Sequence, residues 1–560
     1  MEEKITGKQV AKGILILSIA TFISKIIGVL YRIPIVNILG DVGSAIYALA
    51  YQVYILIITI SCLGIPNAVA RLIAECMSLK AYNDAKKIFK ITFIYTASIS
   101  IILALGLWFG ADKIAHLLKG GEDIVLPLKA LAPTVVIVSL MAVMRGYFQG
   151  MGNMMPTAIS QTVEQLFNAI FSVLLASLFL PYGVKIAAMG GTLGTGIGAI
   201  AGVIAIVIIY KITSSQYNKI EDVGVVKSIY PTNRHIIRQL LITVIPIVMT
   251  AALFALMTLI DNTMLFHYLP DTVEYLRNTG EISRIPVTNA ALMDTQTIVT
   301  SLSGQFLSKY TQFINIPVGI IAVIVTSSIP AIAGDHARKD QKGLTHKINR
   351  ILKIGMLIAM PATVGLTLFG EPIMQLIYAS APDGGSLFTV GAMAIIFMTI
   401  SQLTTGVLQA IGKQYYVTIY VVVALAVKIV LNIVLLSNPA IHIYGITIST
   451  TICYMIYTIL NLIAIKRVLK VKIEWKQVIT KPMIVSIGMG VMSFFLYKGF
   501  IRVTHSVIKS TLIIVPVAVL IYSIGCILTK IVTLDDIQYI PLVNKYIKKF
   551  KDRNVKDNIN

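Results

Sequence analysis

About fourteen runs of predominantly apolar residues follow one another along this 560-residue chain, and most exceed 20 residues. They fall near 12–39, 43–70, 86–110, 125–150, 156–181, 184–210, 238–266, 298–333, 350–371, 386–411, 414–437, 441–465, 480–500 and 508–530. A bilayer-spanning helix needs about 20 such residues. Lipid offers the backbone no hydrogen-bond partner, so each run must satisfy itself as a helix. Composition agrees: 56% of residues are apolar and 13% charged, against about 25% charged in soluble domains, and the mean hydropathy is +0.83. The sequence therefore specifies an all-α polytopic membrane protein. A cytosolic enzyme, a disulfide-rich secreted module and a DNA-binding protein are excluded together.

The formal charge of +22 would suggest nucleic acid in a soluble chain, but here it follows topology. Lys and Arg collect in cytoplasmic loops, and alternate loops hold them: Lys80 to Lys90, Lys211 to Arg238, Arg338 to Lys353 and Lys466 to Lys481. The intervening loops are poor in them. None lies in 371–385, and 267–297 sets Arg277 and Arg284 against four acids. The pattern places both termini in the cytoplasm and the chain in the plasma membrane, with no nucleic-acid partner. In the basic tail, Val543, Tyr546, Ile547 and Phe550 fall at helical spacing among lysines, the pattern of an interfacial helix on an anionic inner leaflet. Cys62, Cys76, Cys453 and Cys526 are scattered through apolar segments, so buried free thiols are expected.

Two pairs of segments echo each other. Ile65-Pro66-Asn67-Ala68-Val69-Ala70 closes the second span and Ile329-Pro330-Ala331-Ile332-Ala333 the eighth; Gly146 to Gly152 closes the fourth and Gly406 to Gly412 the tenth. Both echoes are displaced by about 260 residues. The reading is two pseudo-symmetric six-helix lobes, 1–211 and 238–466, joined by a cytoplasmic linker, 212–237. Helices 13 and 14 follow in 467–530, and the basic cytoplasmic tail is 531–560. Parallel repeats that rock about a midplane site are a transporter architecture.

No phosphate-binding loop and no metalloenzyme or nucleophilic constellation is present. Gly196-Ile197-Gly198-Ala199-Ile200-Ala201 mimics a dinucleotide fingerprint, but it lies inside an apolar span. There Gly190, Gly194, Gly198 and Gly202 form a stripe suited to close helix packing. No cofactor is expected. The chemistry must come from ionisable residues inside spans, each costing about 2.5–3.5 kcal/mol or more at mid-bilayer unless sheltered. These are Lys25 and Arg32 on one face of the first span, Lys309 in the eighth with Gln305 and Gln312 nearby, Asp261 late in the seventh, Lys428 and Asn432 on one face of the eleventh, and Glu164 in a polar fifth span. Structural ion pairs are the plain alternative for each. Cations outnumber acids in the set, so a hydrated cavity that favours an anion is expected, and phosphate oxygens are natural partners of Arg and Lys.

Ser24-Lys25-Ile26-Ile27-Gly28-Val29-Leu30-Tyr31-Arg32 is similar to the first-helix motif of the MurJ-type lipid II flippases, and Gly40 through Glu75 resembles their second helix. Arg145-Gly146-Tyr147-Phe148-Gln149-Gly150, Pro156-Thr157-Ala158 and Val163-Glu164-Gln165 resemble the Gram-positive branch that includes stage V sporulation protein B and related polysaccharide exporters. The resemblance implies the multidrug/oligosaccharidyl-lipid/polysaccharide exporter fold, with helices 1, 2, 7 and 8 around a central cavity and a lipid-tail groove at helices 13 and 14. It matches Lys25 to a cavity Arg, sets Arg32 one position beyond a second, and puts Ile57 and Gln312 where two further arginines stand, Lys309 lying a turn before Gln312. Some members hold sodium with an Asp, an Asn and a second Asp. Asp261 and Asn432 match the first two, but the third falls on Leu436 and Lys428 stands as a built-in cation, leaving sodium, proton or membrane-potential coupling open.

The expectation is a non-enzymatic flippase of a Gram-positive bacterium. It carries a polyprenyl-pyrophosphate-linked sugar, lipid II foremost, from the inner to the outer leaflet by alternating access. Lys25, Arg32, Lys309 and Gln312 would hold the substrate, and Asp261, Lys428, Asn432 and Glu164 would couple or gate. Flippases for other wall or capsular repeat units, and drug or cation antiporters of the same superfamily, are the alternatives. Wall-synthesis enzymes are candidate partners.

Overall fold

Gly40 makes the first reversal of the chain. Its φ of +65° with ψ of −173° is a conformation open in practice to glycine alone. The hydroxyls of Tyr31 and Tyr47, on either side of it, lie 3.1 Å apart, so the chain doubles back there. The computed structural model describes residues 7–119, 121–217, 230 and 232–531. The amphipathic pattern of the tail and half of the 212–237 linker lie outside them.

The N-terminal lobe comprises α1 (Gly7–Leu30), α2 (Arg32–Cys62, broken at Gly40), α3 (Ile65–Ser78), α4 (Tyr82–Leu117), α5 (Val125–Gly150), α6 (Met155–Phe179) and α7 (Val184–Tyr217). The C-terminal lobe comprises α8 (Asn233–Asn278), α9 (Thr295–Gly304), α10 (Thr311–Ala337), α11 (Gln341–Ile377), α12 (Ser386–Gly391), α13 (Ala394–Ala410), α14 (Gln414–Leu436) and α15 (Tyr444–Leu469). A π-helical turn, Gln305–Tyr310, joins α9 to α10. The last pair, α16 (Lys481–Thr504) and α17 (Val507–Leu528), packs on α11. No strand occurs among the described residues. Twelve of the described helical stretches are long and apolar enough to cross a membrane. The first of them, Ile19–Ser78, holds two crossings divided at Gly40, and the shorter Ala394–Ala410 supplies another, which reconciles the stretches with the fourteen spans expected. At 1.5 Å per residue, the 46-residue α8 exceeds a hydrocarbon core of about 30 Å and extends well past the expected 238–266.

The lobes repeat one arrangement. Gly146 and Gly150 of α5 abut Pro66, Val69, Ala70 and Ile73 of α3. In the second half Gly406 of α13 abuts Val325 of α10. The first pair of echoed motifs thus meets at the α3–α5 contact, and in the second lobe the later motif packs on α10 just ahead of its echo. The glycine stripe of α7 lies on α6: a Cβ at Gly194 would come within 2.2 Å of the Ser172 amide, and one at Gly198 within 2.6 Å of the Glu164 carbonyl. Helix packing, not nucleotide binding, is the role of that motif. All four cysteines are free and buried.

Candidate functional site: the joint between the lobes

The lobes meet along α2, which lies against α8, α9 and the π-helical turn, while α1 touches α10. At the end that the charge pattern assigns to the outside, the joint is closed by a buried ion pair. Asp41, directly after Gly40, lies 2.5 Å from the Lys309 ammonium, whose side chain is fully buried. Lys309 also donates to the carbonyls of Ala381 (2.6 Å) and Asp383 (2.8 Å), and lies 5.5 Å from the centre of the Tyr378 ring. An ammonium has three N–H groups, and three oxygens surround this one. The π-helical turn places Lys309 here, since an extra residue in the turn rotates side chains relative to the regular helix, a device common at functional sites.

Neighbouring contacts reinforce this closure. Gln305 donates to the Pro286 carbonyl at 3.0 Å, and Ser308 to the Ser44 carbonyl at 2.9 Å. Asn37 donates to the Ile377 carbonyl at 2.9 Å and accepts from the Ser380 amide at 3.3 Å. Asp383 accepts from the Thr288 amide and hydroxyl at 2.6 and 2.7 Å, tying two loops together. At Gly304 the backbones almost touch: an added Cβ would lie 2.0 Å from the Asp41 carbonyl oxygen.

Lys309 was expected to face a hydrated cavity. The structure instead seals it against Asp41, which the sequence analysis does not single out. Its one signal was its place next to the glycine that reverses the chain.

Lys25 and Arg32 behave differently. Lys25 is exposed, and its amino group reaches across the joint to the Gly319 carbonyl of α10 at 3.3 Å. Arg32 donates to Gln312 from the opposite lobe, and its guanidinium stands 5.4 Å from the centre of the Tyr51 ring. Its Nε is buried without a hydrogen-bond partner. A cavity of about 30 Å³ beside it is lined by Ser44, Tyr47, Tyr51, Gln52 and Ser308. Arg32 and Gln312 therefore meet between the lobes, beside Tyr47 and Tyr51, while Lys25 makes a separate contact with α10. Neither cation has a carboxylate partner among the described residues.

Glu164, expected to gate or couple, is held inside the N-terminal lobe. Arg145 of α5 donates to it at 2.7 Å and to the Ser160 hydroxyl at 2.9 Å. Both side chains are 16% exposed. The other polar groups of α6 bind its neighbours: Gln161 accepts from Thr21 of α1, and Asn168 from Ser172 and from Thr195 of α7. The polarity of the fifth span knits helices together.

Asp261, Lys428 and Asn432 do converge, within the core of the C-terminal lobe. Lys428 lies 2.5 Å from one carboxylate oxygen of Asp261, and Asn432 donates to the other at 2.9 Å. Ser449 of α15 donates to the Asn432 carbonyl oxygen. Next to Asp261, Asn262 accepts from Ser303 at 2.8 Å, and Ser303 precedes Gly304 at the joint.

The model of a family described as polysaccharide biosynthesis protein matches residues 10–336. The chain is 26% identical over 484 residues to the lipid II flippase MurJ of Bacillus subtilis (strain 168), covering 82% of this chain and 83% of that protein. It is 23% identical over 538 residues to stage V sporulation protein B of the same organism, covering 96% and 98%. Among solved structures it superposes on a lipid II flippase MurJ in an inward closed conformation with a TM-score of 0.65 at 17% identity, over 92% of this chain and 99% of that one. An inward-facing multidrug resistance MATE family transporter gives 0.62 at 14% identity, over 82% and 98%. The fold is thus the multi-pass helical fold that these structures share.

Proposed function

The chain belongs to the polysaccharide biosynthesis protein family, and from that premise we propose that it is a flippase for polyprenyl-pyrophosphate-linked sugars, with lipid II as its cargo. The carrying observation is the division of charge among the cations inside the spans. Lys309, Lys428 and Arg145 each have a carboxylate partner. Lys25 and Arg32, between the lobes, have only neutral ones. Two uncompensated cations bordered by tyrosine rings and amides suit a pyrophosphate joined to a sugar: charge-assisted hydrogen bonds for the phosphates, ring faces and amides for the sugar. The same charge repels a cationic drug, which disfavours the antiporter reading.

In this reading both termini are cytoplasmic and the Asp41–Lys309 closure is the outer gate. Cargo enters from the inner leaflet with its polyprenyl tail left in lipid, binds Lys25 and Arg32, and leaves when the lobes rock and the gate parts. No covalent bond is made or broken. The likeness to stage V sporulation protein B over almost the whole chain supports a second cargo, another wall or spore polysaccharide unit.

The test is complementation. A host depleted of its lipid II flippase expresses this protein, and lipid II exposed on the outer leaflet is measured. Restored exposure that is lost in a Lys25→Ala, Arg32→Ala double variant is expected. Failure to restore it with the protein present in the membrane eliminates lipid II and leaves the other polysaccharide lipids. Restoration undiminished in the double variant refutes the assignment of the two cations.

A further inference from the structure

The buried carboxylate of Asp261 needs a positive charge beside it. We infer that in this chain Lys428 supplies that charge as a tethered ammonium, so that the site takes no exchangeable sodium ion.

Four observations carry this. The ammonium lies 2.5 Å from Asp261, and the two side chains are 2% and 4% exposed, so the pair is dry and in direct contact. The second carboxylate oxygen accepts from Asn432, which leaves the carboxylate engaged on both sides. The amide oxygen of Asn432, the next oxygen a cation would use, accepts from Ser449. Finally, Lys428 and Asn432 stand four residues apart on α14, hence on one helix face. One turn further, position 436 is a buried leucine with no oxygen to offer. Among the described residues no cluster of three or more acidic, His or Cys side chains is placed to hold a metal ion. A hard cation such as sodium needs several oxygen ligands converging on one point. Here one carboxylate is present, and the position such an ion would take against it is filled by nitrogen.

A sodium ion could enter only by displacing the ammonium into a core that holds no second acid for it among the described residues. The chain has thus exchanged a mobile cation for one that cannot leave. Lipid movement would then draw nothing from a sodium gradient through this site, a consequence that rests on the transport reading, whereas the binding property does not.

The test uses the purified full-length protein, with radiolabelled sodium binding and thermal stability measured in sodium chloride against choline chloride at equal ionic strength. The wild type should bind no sodium and show the same Tm in both salts. Lys428→Ala exposes the carboxylate to an exchangeable partner. It should gain saturable binding of ethylammonium, the missing side-chain end, and a Tm rise of about 2 °C or more, as expected for a ligand that binds only the native state. Sodium and lithium, which want more oxygens than the site offers, should produce a smaller rise. An Asp261→Asn, Lys428→Gln variant, neutral throughout, should respond to none of them and guards against misfolding of the single variant. Saturable sodium binding by the wild type that disappears in Asp261→Asn overturns the inference. A folded Lys428→Ala protein indifferent to sodium, lithium and ethylammonium overturns it equally. Because these readouts measure binding and stability, their outcome is independent of whether the protein flips a lipid.

Discussion

Asp41→Asn leaves the fully buried Lys309 ammonium without its counter-ion at 2.5 Å. The carbonyls of Ala381 and Asp383 would still accept hydrogen bonds from it, but neither carries a neutralising charge. Breaking a buried pair by removing one partner costs about 3–5 kcal/mol. The protein can avoid that cost by parting the lobes and admitting water to the ammonium. At the lower bound, about 3 kcal/mol, the ratio of closed to open molecules falls by about 150-fold. Ser44 is fully buried in the joint and its carbonyl accepts from Ser308, so a Ser44→Cys reporter is protected while the joint is closed. In a background without the native cysteines, a membrane-impermeant maleimide should label the reporter tens of times faster once Asp41→Asn is added. An Asp41→Asn, Lys309→Met double variant replaces the pair by uncharged groups, and labelling should return close to the starting rate. A well-expressed Asp41→Asn protein labelled within about twofold of its parent would refute the reasoning, because the pair would then contribute nothing to closure.

Gly304→Ala should open the same joint, since its Cβ would lie 2.0 Å from the Asp41 carbonyl; overpacking of this kind costs about 1–3 kcal/mol, and the maleimide assay reads it. Lys25→Ala and Arg32→Ala should each weaken retention of a polyprenyl-pyrophosphate lipid by about tenfold or more, the worth of one charge-assisted hydrogen bond, as measured by lipid pull-down. Arg32→Lys, which keeps the charge without the planar fork, should fall between. Glu164→Gln should lower thermal stability by about 1–3 kcal/mol through Arg145 while leaving lipid retention unchanged. His442, in the loop before α15, is held neutral by burial and by the nearby Arg284, its pKa lowered to about 4. A lowered His pKa means stability that is complete above the ordinary value near 6.5 and is lost as pH falls from there towards about 4. His442→Gln should remove a contribution on the order of 2 kcal/mol, after screening, from the acid sensitivity of Tm.

Periodicity made the architecture readable because a bilayer leaves so few solutions: long apolar runs must be helices. The internal echoes located real helix contacts, with Gly146 against Pro66 and Gly406 against Val325. The site was legible only in part. Helical spacing put Lys428 and Asn432 on one face, and their meeting with Asp261 follows from it. What could not be read was which carboxylate each cation would find across helices far apart in the chain. Lys309 and Asp41 are 268 positions apart and meet only because Gly40 reverses one helix and a π-turn rotates another. Arg145 and Glu164 lie on successive spans, yet without the geometry Glu164 resembles a free intramembrane acid. Cation excess, read from the sequence as a property of the whole set, shrinks to Lys25 and Arg32 once these pairs are subtracted.

That subtraction has an electrical consequence. The pairs Asp41–Lys309, Asp261–Lys428 and Glu164–Arg145 each sum to zero, so the transmembrane field does little net work on them as the lobes move. The two unbalanced cations feel it fully, by up to about 2.3 kcal/mol per charge for each 100 mV crossed. On the proposed flippase reading, with both termini cytoplasmic and the cell interior negative, the voltage would draw the empty site towards the side where cargo is loaded. A bound pyrophosphate would cancel that pull and free the loaded carrier to turn outward. The resting voltage would then drive the return stroke, and the cargo's own charge would disengage it.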